Sequence, residues 1–178
     1  LEAGFDLLGF ADHTPWPQGG RGQTLGIRMN LSELPDYVQS LRSLREKYRG
    51  RLDIRIGLEC EYYPPHMHWL LDTKATHGLD YLILGAHFLD SGEGAAYLGS
   101  ACVDNAMLRP YADACISGMA SGAYLYLAHP DLFMRRREIW DADCQGVARD
   151  ICQSALSLEV PLEYNINGHV LREGGRHG

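Results

Sequence analysis

Ile54-Arg55-Ile56-Gly57-Leu58-Glu59, followed at once by Cys60-Glu61, is a short apolar run that ends in acidic side chains. The pattern returns along the chain. Comparable runs occupy 7–11, 81–86, 124–128 and 161–165, each followed by a polar cluster and then an amphipathic stretch. That rhythm predicts βα units. The runs are mostly continuous in apolar character, as expected for parallel strands buried on both faces.

Four helices are expected between them. Asn30-Leu31-Ser32-Glu33 offers cap residues, after which Leu34, Val38, Leu41 and Leu44 recur at helical spacing and Gly50 supplies a stop. Pro64 or Pro65 opens a second helix through Leu70 to His77, ended by Gly78. Asp104 caps a third that runs to about Gly118, and Asp141 or Asp143 caps the fourth. Leu1-Glu2-Ala3-Gly4 reads as the last turn of a helix closed by glycine, and residues 18–26, rich in Gly and polar side chains, read as a mobile binding loop.

The 178 residues, 46% apolar and 22% charged, have the composition of one globular domain. No apolar run approaches the ~20 residues of a membrane span, so no membrane partner is expected. A net charge of −7 repels polyanions, which argues against nucleic acid. Bound cations could still invert that sign locally and admit a small anion. The five cysteines include no C-x-x-C pair, so neither a disulfide framework nor a thiolate zinc site is indicated, and a reducing cytoplasm fits.

Chemistry is concentrated where the runs end: Asp12-His13, Glu59-Cys60-Glu61, His87, His129-Pro130-Asp131 and Glu163-Tyr164-Asn165. In a parallel α/β fold the carboxyl ends of the strands share one face, so these groups converge from distant parts of the sequence. A lone histidine at a strand end is more often a packing residue, but several at the same end point to a shared metal site. Imidazole with carboxylate suits Zn, Fe or Mn, and two or three such ions form a clamp for hydrolysis. Asp12 and Asp131 are weaker, because Asp is also the default turn residue after a strand; they are expected to support the ligands.

The remaining candidates read as structural. His66, His68 and His77 lack the H-E-x-x-H arrangement and are expected on a solvated helix face, while His169 and His177 lie in a Gly-rich tail. Met29, Met107 and Met119 are expected to fill the core. Arg135-Arg136-Arg137 follows the His129 run directly, where Arg135 could hold a phosphate by its planar fork or simply begin a solvated helix. No G-x-S-x-G, P-loop or G-x-G-x-x-G motif followed by a helix is present. Attack by a metal-activated hydroxide is then the economical mechanism.

Taken together, Gly9-Phe10-Ala11-Asp12-His13-Thr14-Pro15, Arg28-Met29, Gly57-Leu58-Glu59-Cys60-Glu61-Tyr62, Gly85-Ala86-His87-Phe88, Ala128-His129-Pro130-Asp131 and Glu163-Tyr164-Asn165 resemble the polymerase and histidinol phosphatase (PHP) superfamily, and within it the histidinol-phosphatase branch. The likeness runs from Gly4 to about Gly168. It implies a distorted (β/α)7 TIM-like barrel, here a partial one of about five βα units, with up to three divalent ions. The implied activity is hydrolysis of the phosphate ester L-histidinol phosphate in histidine biosynthesis. Carried over by position, Glu59 matches a carboxylate bridging two metals, His87 and His129 match imidazoles on one of them, and His13 matches a ligand of the third. Glu59, His87 and His129 are the implied catalytic set. Glu61 stands at an acidic position, and Arg28 lies near the substrate.

Members of the superfamily also carry an H-x-H motif on the first strand and a D-x-H motif on the last, and neither occurs on the first or last expected strand of this sequence. The expectation is a single domain over 1–178, incomplete at both ends, that binds metal weakly and turns over little by itself. Two further readings remain: a phosphoesterase acting on another ester such as a nucleotide, and a non-catalytic scaffold. Oligomeric state is not encoded in any motif.

Overall fold

The computed structural model describes residues 4–17 and 25–166. Its centre is a parallel sheet of three strands in sequence order, β1 (Leu7–His13), β2 (Asp53–Cys60) and β3 (Tyr81–Leu84). Crossovers join them, with α1 (Leu34–Lys47) between β1 and β2 and α2 (Met67–His77) between β2 and β3. The register sets Leu7 opposite Asp53 and His13 opposite Glu59, so both strands end level with each other. Gly57 pairs with Tyr81 and Cys60 with Leu84.

The fourth and fifth expected strands are reduced to single parallel bridges, Leu84 to Leu127 and Leu127 to Leu162. They nevertheless carry the sheet onward in sequence order. The Leu125 and Ala128 N–H groups donate to the Leu82 and Leu84 carbonyls at 2.8 Å, and Glu163 N–H donates to Leu127 O at 2.9 Å. Five parallel segments therefore lie side by side, and the last two pair too briefly to count as strands. Between β3 and the fourth segment come the short α3 (Leu98–Ala101) and α4 (Leu108–Ala120), and α5 (Ala142–Leu158) leads to the fifth.

The helix signals act where local chemistry placed them. Asn30 N–H donates to Glu33 Oε2 at 2.6 Å at the head of a 3₁₀ turn that runs straight into α1. Asp104 Oδ1 accepts from Ala106 N–H, and Asp141 Oδ1 accepts from Cys144 N–H, which selects Asp141 over Asp143 as the cap of α5. Gly78 takes the left-handed conformation at the end of α2. Three adjustments follow. α1 ends at Lys47 with Gly50 in the turn beyond it, α4 extends past Gly118 to Ala120, and α3 carries no period long enough to be read from sequence.

Burial on both faces is not what the sheet shows. Along β2, Ile54, Ile56, Leu58 and Cys60 are buried while Asp53 and Arg55 are exposed. Ile56, Leu58 and Cys60 meet Leu34, Val38, Leu41, Leu70, Leu108 and Tyr111 from the helices in one core. No helix among the described residues covers the other face, where the Tyr81 ring lies close over Gly9 and Gly57 and Leu7 is 55% exposed. No closed barrel is formed among the described residues. Met119 is buried in the core and Met29 and Met107 pack against it, as expected of filler. Residues 18–24 of the expected loop, residues 1–3 of the expected helix end and the tail with His169 and His177 lie outside the described residues. No helix among the described residues is long and apolar enough to cross a membrane.

Candidate metal centre

Because the strands end level, their last side chains meet at one rim of the sheet. Glu59 is at the centre of that meeting. Its Oε1 lies 2.8 Å from His129 Nε2 and 3.2 Å from His87 Nε2, and its Oε2 lies 4.0 Å from His13 Nδ1. The two Nε2 atoms are themselves 3.1 Å apart. Donor atoms of His13, Glu59 and His87 all fall within 4.8 Å of one another. Four residues far apart in sequence are thus brought together.

Backbone close to the cluster is arranged to permit this. His129 adopts φ +31, a rare conformation for a residue with a side chain. Its N–H donates to Glu163 Oε2 at 2.6 Å, and Tyr111 Oη donates to the carbonyls of His129 and Pro130. The fold thereby holds the bend that turns the imidazole towards Glu59. Gly85, just after β3, leaves the space into which the Glu59 carboxylate extends.

Charge is distributed unevenly over the cluster. Burial alone would raise the Glu59 pKa, but hydrogen bonds from His129 and His87 outweigh it and hold the carboxyl well below the usual range. For His87, burial opposes the charged form, yet the bonds to Glu59 and Glu61 prevail and raise its pKa to about 9. His13 is moved the other way, chiefly by burial and then by the neighbouring His87. A carboxylate and ring nitrogens converging on one point form a donor set that a divalent cation fits. The edges of 2.8 to 3.2 Å between Glu59, His87 and His129 are close to the ~3.3 Å separating ligands on a tetrahedral zinc with bonds of ~2.0–2.1 Å.

Glu61 lies behind His87, fully enclosed. Its Oε1 is 3.2 Å from His87 Nδ1, and its Oε2 accepts from Trp16 Nε1 at 2.9 Å and from Arg28 Nη1 at 3.0 Å. Arg28 Nη2 also pairs with Oε1, and Arg28 Nη1 reaches Thr14 O at 3.2 Å. Arg28 is therefore a buried partner of Glu61, with its fork directed at the carboxylate. Arg135 is exposed and donates to Tyr97 Oη at 3.2 Å, while the Tyr97 ring lies parallel to His87 at 6.5 Å. Arg137 is occupied elsewhere, on the Cys102 and Val103 carbonyls and Asp141.

Among the other histidines, His68 is exposed and pairs with Asp72 in the next turn, as expected of a solvated face. His66 is not solvated in this way. It is half-buried against Trp16 and Tyr63, with Nε2 3.1 Å from Ser91 Oγ, because the 3₁₀ turn at Pro64–His66 aims it inward. Trp16, Tyr97 and Tyr124, whose hydroxyl donates to Glu61 O at 2.9 Å, were not singled out from the sequence. Aromatic residues at strand ends look like core until the fold places them.

No family model matches the chain. Among curated proteins, the Deinococcus radiodurans protein named "Probable histidinol-phosphatase" is 34% identical over 89 residues, 50% of this chain and 33% of that protein. The Bacillus subtilis histidinol-phosphatase is 34% identical over 94 residues, 50% of this chain and 35% of that protein. The matched stretch thus spans about a third of the length of these relatives. A crystal structure of histidinol phosphate phosphatase from Lactococcus lactis, complexed with zinc, L-histidinol and phosphate, superposes with a TM-score of 0.69 at 20% identity. The superposition covers 92% of this chain and 63% of that one, which establishes a shared fold. Over half its length, then, the chain is related to proteins named histidinol-phosphatase, in keeping with the likeness of its strand-end motifs to that branch of the PHP superfamily.

Proposed function

We propose that this chain is a single PHP-type domain of a metal-dependent phosphomonoesterase that converts L-histidinol phosphate into L-histidinol and phosphate. The carrying observation is the Glu59 carboxylate within hydrogen-bond distance of imidazoles from two other segments, His87 and His129. Half-length relatedness to histidinol-phosphatases supports the choice of substrate. The five parallel segments are read as part of a distorted (β/α)7 barrel, and histidine biosynthesis sets the expected compartment as the cytoplasm.

In this reading Glu59, His87, His129 and His13 hold the ions, which are Zn, Fe or Mn and number up to three. Bound there, divalent ions polarise the phosphoryl oxygens and make water more acidic. Glu59 can serve two ions because its oxygens face different imidazoles. Arg135, exposed beside Tyr97, offers a planar fork to the phosphate of a small-molecule ester. Arg28 acts near the substrate through the carboxylate it grips.

The experiment is release of inorganic phosphate from L-histidinol phosphate with zinc or manganese, by this chain and by forms extended at either end. Release is expected in at least one form and is abolished by Glu59→Ala or by a chelator. Release that survives both treatments, or none from any form, overturns the proposal. A panel of nucleotides and other phosphate esters run alongside tests the substrate.

A further inference from the structure

We infer that Glu61, clamped by Arg28 and Trp16, is the positioning residue that fixes the ring of His87 and keeps its Nε2 turned toward Glu59 and His129. The inference deepens the metal reading and rests on it for its consequence, though not for its geometry. An ionised carboxylate only accepts hydrogen bonds. With Glu61 Oε1 3.2 Å from Nδ1 and Glu59 Oε1 3.2 Å from Nε2, a His87 that gives Nε2 to a cation keeps its proton on Nδ1, where Glu61 accepts it. Second partners of this kind set both tautomer and orientation in metal-binding histidines.

Glu61 itself has no freedom to turn. Its two oxygens receive Arg28 Nη1 and Nη2, Trp16 Nε1 and His87 Nδ1, and its side chain is 1% exposed. Arg28 is fixed in turn by Thr14 O and by the face of Phe88, 5.6 Å from its guanidinium carbon. A buried ion pair of this kind is weak support for stability, since an apolar pair of similar volume often serves as well. Its retention behind a ring of the cluster therefore points to orientation. His129 provides the contrast: its Nδ1 is buried without a hydrogen-bond partner among the described residues.

The test is ¹H–¹⁵N NMR of the His87 ring in metal-free protein, together with calorimetric zinc titration. Glu61→Gln leaves the Arg28 charge unmatched and risks unfolding. The paired Arg28→Met, Glu61→Met variant removes both charges at similar volume, and its fold is checked by thermal melting. In the parent, the His87 Nδ1–H proton is expected to be held by Glu61 and slow to exchange with solvent. The paired variant is expected to show a fast-exchanging His87 ring proton and zinc binding weakened about 10–100-fold. A folded paired variant with unchanged proton exchange and unchanged zinc affinity overturns the inference. If the parent binds no zinc but the ring proton still exchanges faster in the variant, the positioning role stands and the metal reading falls.

Discussion

Gly85 and Glu59 are so closely packed that a methyl group on residue 85 would lie on the Glu59 carboxylate and 2.6 Å from His87 Cε1. Both obstacles are side-chain ends, so the backbone can survive a substitution that the cluster cannot. Gly85→Ala is expected to melt cooperatively while losing zinc affinity by at least about tenfold. Calorimetry on the purified variant decides it, and parent-like zinc binding would count against the close approach.

Glu59→Gln keeps the shape and removes the negative charge shared by three imidazoles. Zinc affinity is expected to fall by more than about 100-fold, beyond the loss typical of a supporting partner. Phosphate release falls with it, whereas the core, built from Leu58, Leu84 and their neighbours, stays intact by circular dichroism.

Arg135 is exposed and touches the protein through Tyr97. Arg135→Ala is expected to leave melting unchanged and to raise KM for a phosphate ester about 10–100-fold, the worth of a hydrogen bond to a charged group. Steady-state kinetics on an active form measures this, and an unchanged KM removes Arg135 from the substrate site.

Thiol chemistry gives an independent check of burial. Cys60, Cys102, Cys115 and Cys144 are buried and Cys152 is exposed. Burial pushes the Cys102 thiol up to about 11 and the Cys115 thiol up to about 12. Native protein at pH 8 should therefore release one fast equivalent of thiol to Ellman's reagent, rising to five on denaturation. Two fast equivalents would contradict the packing of the helices.

Acid acts on the helix caps. Asp141 accepts from Cys144 N–H and also from Arg137, and these bonds depress its pKa below the ordinary carboxylate value. A depressed pKa means that the stabilisation is complete above the unfolded-state value near 3.8 and is lost as pH falls through the lower folded-state value. Asp141→Ala should lower Tm by a few degrees at neutral pH, with the gap closing below about pH 3. A gap that persists in acid would place the cost elsewhere than in the cap.

Signals confined to a few neighbouring residues could be read from the sequence, as with Asn30 with Glu33, Asp104, Asp141 and Gly78, whose caps need no tertiary partner. The convergence of His13, Glu59, His87 and His129 was also legible, because parallel strands send their carboxyl ends to one rim. Other features depended on distance in the chain. Nothing near Arg28 announces that its fork closes on Glu61, and nothing near His66 announces Trp16 and Ser91. The expected burial of both sheet faces failed for a plain reason: glycines at 9 and 57 read as part of apolar runs, yet they provide a shelf for one tyrosine ring.

The rim where His13, Glu59, His87 and His129 meet is also among the last things the polypeptide can make. His13 cannot face His129 until every intervening crossover has docked, a requirement of high contact order that slows folding. A cation captured only by the finished arrangement then acts as a latch, adding RT ln(1 + [L]/Kd) to the native state and nothing to earlier ones. Unfolding in the presence of a chelator should accordingly begin at a lower temperature, although no apolar contact has changed.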